Sequence, residues 1–259
     1  MSRATFHEIT EDHALVCNEI RGGNRRFIGT RKLPGMAAWV ATLPINQENP
    51  GGDLHFLSAC DRDLICRVAL ADVSGHGADV DEATRVLHKL MLSKMNIGDQ
   101  AKFMQGLNDT FSRLGDGEYA TAIVLSVNRI TGGLDFSNAG HPPPLWYHAS
   151  EKTWGWLAED DATPRKAFGL PVGLFLGTEY SETIVTLGRS DLLVLYTDGI
   201  IDAEDKTGKS LGREQLMEWA RGGPVESAPR LGQHLLARLA EFRGRTQSDD
   251  ETLLVLQRE

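Results

Sequence analysis

The chain has 259 residues, of which 41% are hydrophobic, 24% charged and 7% aromatic, a make-up that excludes collagen-like and disordered classes. A net charge of −9 argues against a grip on nucleic acid or on an anionic membrane, because both need a basic surface. A chain of this size can bury one core, and its longest apolar runs, 122–127 and 192–196, are strand-length rather than the ~20 residues of a membrane span.

Six basic and four acidic side chains fall in the first 36 residues, so the acidity belongs to the body of the chain. Within that stretch Val16 and Ile20, with Leu15 and Cys17 beside them, predict a short helix over 11–21, followed by an irregular basic arm over 21–35. Residues 1–10 lack an apolar signal core, so a cytoplasmic location is expected. Cys17, Cys60 and Cys66 form neither an even framework nor a CxxC pair and read as reduced thiols. From Met36 the pattern turns to strands: 37–43, then 54–60 and 64–71 as a hairpin across Asp61-Arg62-Asp63. After Gly75-His76-Gly77, apolar residues recur every three or four positions from Val80 to Met95 and again from Phe103 to Leu114, predicting two adjacent helices. Short strands are expected at 119–128, 134–137, 145–148, 154–157, 181–187 and 191–196. Two helices follow at 213–221 and 228–242, and a last strand at 252–257. Because strands and helices come in blocks, the pattern favours a layered, largely antiparallel α+β fold, with helix pairs covering the outer faces of packed sheets.

Aspartates stand where these strands end: Asp72 after Val68-Ala69-Leu70-Ala71, Asp198 after 193–197, and Asp249-Asp250 just before 252–256. Carboxylates at strand ends can converge on a shared mouth. At 4 Å and an effective dielectric near 20 each bare pair repels by roughly 4 kcal/mol, so cations or protonation must relieve the cluster. Oxygen ligands without Cys or His select hard ions, Mg²⁺ or Mn²⁺ rather than Zn²⁺. Taken singly, such aspartates also fit simple turns. Glycines after Asp198 and around His76 allow backbone groups to approach an ion or anion closely.

Five segments in order carry a resemblance: Gly51-Gly52-Asp53, Asp72-Val73-Ser74-Gly75-His76-Gly77, Asn138-Ala139-Gly140-His141-Pro142-Pro143, Tyr196-Thr197-Asp198-Gly199 and Asp249-Asp250-Glu251-Thr252. Together they resemble the motif series of the SpoIIE-like branch of the PPM serine/threonine phosphatases, over residues 37–257. The resemblance implies a four-layer α-β-β-α sandwich, two antiparallel sheets flanked by helix pairs, with two Mn²⁺ or Mg²⁺ ions at one end. It assigns Asp72 as the bridge between the ions, joined by the Val73 carbonyl. Asp198 and Asp249 complete the metal shell, and Asp53 binds one ion directly or through water. Asp72 and Asp198 thus carry the catalysis. A metal-bridging hydroxide would attack phosphoserine or phosphothreonine in line, with no protein nucleophile. The implied substrate is a phosphorylated regulatory protein, for example an anti-sigma-factor antagonist of a bacterial partner-switching pathway.

The resemblance divides the chain into an N-terminal helix and basic arm, 1–36, and a phosphatase domain, 37–259. So short a leading segment is too small for a sensor domain, and regulation is expected from a partner, from expression level or from a homodimer through the N-terminal helix. Two departures stand out: Leu54, His55 and Phe56 occupy the stretch where the family usually has a second acid after Asp53, and Asp81-Glu82 replace small apolar residues. The rival reading is a PPM-fold binding module that docks a regulator without turnover, and a third is a hydrolase of small phosphate esters. His76 and His141 read as loop-fixing residues. Gly208-Lys209-Ser210 is a phosphate-loop decoy, since Ala203 stands where a glycine is required. Trp146, Tyr147, Trp154 and Trp156 are assigned to strand packing.

Overall fold

The computed structural model describes residues 9–15, 19–45, 49–60, 63–74, 78–95, 97–114, 117–157, 168–244 and 247–259. One sheet has the order β1 (Ile9–Ala14), β3 (Phe27–Leu33), β4 (Met36–Leu43), β14 (Glu251–Arg258), β13 (Leu192–Tyr196), β9 (Leu145–His148) and β10 (Thr153–Trp156). The other has the order β11 (Phe168–Gly169), β8 (Gly133–Ala139), β7 (Ala120–Asn128), β6 (Ile65–Val73), β5 (Asp53–Cys60) and β2 (Ile20–Gly23), with β12 (Thr183–Thr186) also paired to β8. Every pairing is antiparallel except β1 with β3 and β11 with β8.

The central strands read as continuous apolar runs because both of their faces are covered. Val40, Val68, Leu125, Leu195 and Leu254 meet between the sheets. Their neighbours in sequence point outward: Trp39, Val194 and Val255 pack under α4 (Gly212–Arg221) and α5 (Ala228–Phe242) through Leu216, Trp219, Leu231 and Leu235. Ala69, Ala71 and Val124 pack under α1 (Ala78–Lys94) and α2 (Gln100–Leu114) through Leu87, Phe103, Leu107 and Phe111. The period-two alternation along each strand therefore builds three apolar layers and the expected α-β-β-α sandwich. Helix α5 starts on Ser227, whose side chain accepts the Arg230 N–H, with a proline in the first turn. Gly232 lets α5 lie directly on the Trp39 ring, which a Cβ there would strike.

The N-terminal expectation is corrected. Where described, residues 11–21 are not helical, since β1 ends and β2 begins there, and the basic stretch is not irregular: β2 and β3 run through it. Strand β3 pairs with β4 along its whole length, β2 pairs with β5, and Leu15 is buried between the sheets. Edge pairing with strands far along the chain outweighs a local helical spacing that rests on few residues. Gly22 is required in β2, with φ +133° and a Cβ position occupied by the His55 carbonyl. The structure also adds β11 and the short α3 (Asp198–Ile201). Cys17, Asp61-Arg62 and Gly75-His76-Gly77 lie outside the described residues, while Cys66 is buried and in no disulfide. Among the described residues no helix is long and apolar enough to cross a membrane.

Candidate metal centre

Four strand ends meet at one end of the sandwich. Asp53 opens β5 and stands opposite Asp72 near the close of β6, with Thr121 of β7 opposite Asp72 on the other side. In the facing sheet, β13 ends at Tyr196, Thr197 follows and Asp198 starts α3, while Asp249 and Asp250 lead into β14. The Thr197 N–H donates to the Thr252 carbonyl at 3.1 Å, so these two segments run side by side. Gly199 is needed there, because a Cβ would run into the Asp250 carbonyl oxygen. A Cβ on Gly51 would fall 2.6 Å from the Asp250 carboxylate.

Two side chains that sequence reading left without a role tie the sheets together. The Thr197 hydroxyl donates to Asp53 Oδ2 at 2.8 Å and accepts the Thr252 N–H at 2.9 Å. The Asp250 carboxylate accepts the Ile45 N–H at 2.7 Å and the Gly52 N–H at 2.5 Å, fixing the loop that delivers Asp53. Asp249 accepts the Asp250 N–H at 2.8 Å. Next to them, the buried Glu251 forms an ion pair with Arg243.

The electrostatics are those of crowded like charges. Burial, then the charges of Asp198 and Asp249, push Asp72 up to about 8, and the Asp198 carboxylate lies within hydrogen-bonding reach of it. Burial, then Asp72, raise Asp53 well above the ordinary carboxylate range, with the Thr197 hydroxyl pulling the other way. Asp249 is raised by burial and then by Asp198, against the Asp250 N–H, and Asp202 is raised by burial and then by Asp198. Asp202, one turn after Asp198, therefore joins the cluster, which sequence spacing had not shown. Burial, opposed by Arg243, takes Glu251 to about 7.

A divalent ion fits this donor set. All donors are oxygens, and Asp53, 1% exposed, keeps a buried Oδ1 with no hydrogen-bond partner. Among the described residues, no three acid, His or Cys side chains stand in the spacing of a closed coordination shell, so the aspartates form a collar rather than a cage. Val73 closes β6 beside Asp72 with its side chain buried.

Other residues singled out in the sequence, His76 lying outside the described ones, make local packing and turn contacts. His141 is buried, hydrogen-bonded through Nδ1 to the Thr121 hydroxyl at 3.0 Å, and burial holds it near 3, hence neutral. The Asn138 amide accepts the His141 N–H and donates to its carbonyl. Gly208-Lys209-Ser210 lies in a turn whose Thr207 and Lys209 N–H groups are held by Asp205. Leu54, His55 and Phe56 are buried and add no acid after Asp53.

Two mostly antiparallel sheets between helix pairs, with aspartates from four strand ends gathered at one end, define the PP2C-like fold of the PPM phosphatases. Residues 65–259 match the family model described as stage II sporulation protein E (SpoIIE), and the chain belongs to that family. It is 29% identical over 144 residues to phosphoserine phosphatase RsbP of Bacillus subtilis (strain 168), a match covering 52% of this chain and 33% of that protein. Phosphoserine phosphatase RsbU of the same organism is 23% identical over 235 residues, covering 90% of this chain and 67% of RsbU. The structure of the RsbU and RsbW domains of Rv1364c from Mycobacterium tuberculosis superposes with a TM-score of 0.72 at 24% identity, over 88% of this chain and 62% of that one. The catalytic domain of the serine/threonine phosphatase PstP, in complex with two manganese ions, gives a TM-score of 0.57 at 15% identity, over 86% and 97%.

Proposed function

We propose that the chain is a divalent-metal-dependent phosphatase acting on phosphoserine or phosphothreonine of a regulatory protein, such as an anti-sigma-factor antagonist. The observation that carries this reading is the aspartate collar: Asp72 pushed up to about 8 by burial and neighbouring acids, beside an Asp53 oxygen buried without a partner. Asp72, joined by the Val73 carbonyl, would hold the ions together with Asp198 and Asp249, and Asp53 would hold one ion directly or through water. When bound, Mn²⁺ or Mg²⁺ supplies a water of lowered pKa and offsets charge on the phosphoryl oxygens.

The chain's own groups position and tune this site. Thr197 orients the Asp53 carboxylate, and Asp250 pins the Gly51–Gly52 loop behind it. Without a cation Asp72 retains a proton at neutral pH, so ion binding is accompanied by proton release from the collar. Activity on phosphoserine is supported by the family and by the named activity of RsbP and RsbU. A homodimer stays a proposal, without the helix that was expected to carry it.

The buried, non-acidic Leu54-His55-Phe56 favours one rival, a binding module of the same fold without turnover. A single assay separates them: p-nitrophenyl phosphate and a phosphoserine protein, each with Mn²⁺, with EDTA, and with Asp198→Ala. Metal-dependent release of phosphate, abolished by EDTA and by the substitution, is the expected result. A folded protein that turns over neither substrate refutes the enzyme, and hydrolysis of the small ester alone refutes the protein substrate.

A further inference from the structure

A cavity of about 370 Å³ lies beside β2, where Asn24 of its wall exchanges hydrogen bonds with Gly51, and its lining carries three arginines, Arg25, Arg26 and Arg31, and two histidines, His55 and His88, with no carboxylate among the described residues. In a chain of net charge −9 this is a concentrated positive concavity, and low-dielectric walls focus the field of such a group. The site is built, not a chance cluster of surface cations. Arg31 is partly buried, with its guanidinium over the Phe27 ring, 3.9 Å from the centroid, which fixes the plane of its donors. The Phe27 ring in turn lies 6.3 Å from that of His55, a side chain only 4% exposed and anchored through Nδ1 to the Thr42 hydroxyl at 2.9 Å. His88 of α1 closes the opposite side, its ring 5.1 Å from Phe56.

Gly22 and Gly23 form the floor, and a Cβ on Gly23 would meet nothing within 4 Å, so the backbone there faces open space. Arg25 and Arg26 stand exposed at the rim, where they can swing onto an incoming anion. We infer that this cavity binds a small phosphate-bearing anion, its oxygens held by the forked guanidinium donors of Arg25 and Arg26 at the rim. The volume suits a group of the size of pyrophosphate or a nucleoside diphosphate. The phosphate could belong to a free metabolite or to a phosphorylated protein, and the same guanidinium chemistry would recognise either.

The inference does not rest on the phosphatase reading, and it is tested where that reading cannot interfere. Calorimetric titration of the full chain in EDTA, at about 0.15 M salt, uses pyrophosphate, ADP and a phosphoserine peptide as probes. Saturable one-to-one binding of at least one probe is expected. It should weaken about tenfold or more in Arg25→Gln or Arg26→Gln and be lost in the double variant. Asp198→Asn should bind like the parent. Both arginines are exposed, so the variants should keep the parent's melting temperature. Tighter binding of ADP than of peptide assigns the site to a free metabolite, and the reverse assigns it to a phosphoprotein. No binding of any probe, or binding unchanged in the double variant, overturns the inference. A chain that binds pyrophosphate but never turns over substrate fails only the enzymatic reading.

Discussion

Asp72→Asn should make the metal-free protein more stable at neutral pH while abolishing activity. Burial and the neighbouring acids raise the Asp72 carboxyl from 3.8 to about 8 in the folded chain. At pH 7 the unfolded chain is ionised at this position and the folded chain keeps its proton. About three pH units separate pH 7 from the unfolded pKa, which at ~1.4 kcal/mol each gives an upper bound of about 4 kcal/mol. Water reaches the partly buried group, so about 2–4 kcal/mol is the expected destabilisation. A folded pKa above the unfolded one means that stability is intact below about pH 4, falls as pH rises towards 8, and is level beyond. Asparagine removes the titration and can donate an N–H to Asp198 as the protonated acid does. The variant should therefore match the wild type at pH 4.5 and exceed it at pH 7.5 by about 5–15 °C in melting temperature, given ~2–4 °C per kcal/mol for a chain of this size. The assay is thermal and urea unfolding in EDTA at pH 4.5, 6 and 7.5, repeated with Mn²⁺. An ion present at 100 times its dissociation constant adds ~2.7 kcal/mol to the wild type, and the variant should lose most of that gain. Equal stability of the two proteins at all three pH values in EDTA would refute the reasoning.

Thr197→Val leaves Asp53 Oδ2 and the Thr252 N–H without their partner in a fully buried position. Urea unfolding should show a loss of about 2–4 kcal/mol, Thr197→Ser should recover most of it, and calorimetry should show weaker Mn²⁺ binding in the valine variant alone. Burial, then the Arg31 charge, lower His55 from 6.5 to about 4. Its contribution is thus complete above pH 6.5 and lost as pH falls towards 4, by ~1.4 kcal/mol per pH unit. His55→Gln should flatten the urea midpoint against pH by one proton in that window, and an unchanged slope would exclude a buried neutral imidazole. Arg243→Met strands the 2% exposed Glu251, which titrates near 7. Without Arg243 the carboxyl rises further and takes up a proton even at pH 8, which limits the loss to about 1–2 kcal/mol there and less at pH 6, both read from urea midpoints.

Legibility in the sequence followed how local the cause was. The strands at 37–43, 119–128 and 191–196 are apolar runs because each is sandwiched on both faces, so composition alone marks them. Asp72 and Asp198 stand out because a carboxylate closes an apolar run and, for Asp198, a glycine follows. The N-terminal strands had no such mark. Leu15 and Ile28 gain their burial only from residues elsewhere in the sheets, and Gly22 reads as a flexible linker until the His55 carbonyl is seen to fill its Cβ position. Thr197 and Asp250 were hidden for the same reason. A hydroxyl after a tyrosine, and an acid next to an acid, say nothing about partners 144 and 198 residues away. The positive cavity draws on β2, β3, β5 and α1, so its arginines had read as one basic arm. The acidic collar and the cavity thus share a feature: each gathers like charges that the unfolded chain keeps apart. Three apolar layers offset that cost, and a bound counter-ion would repay it, which is the physical reason to expect ligands at both places.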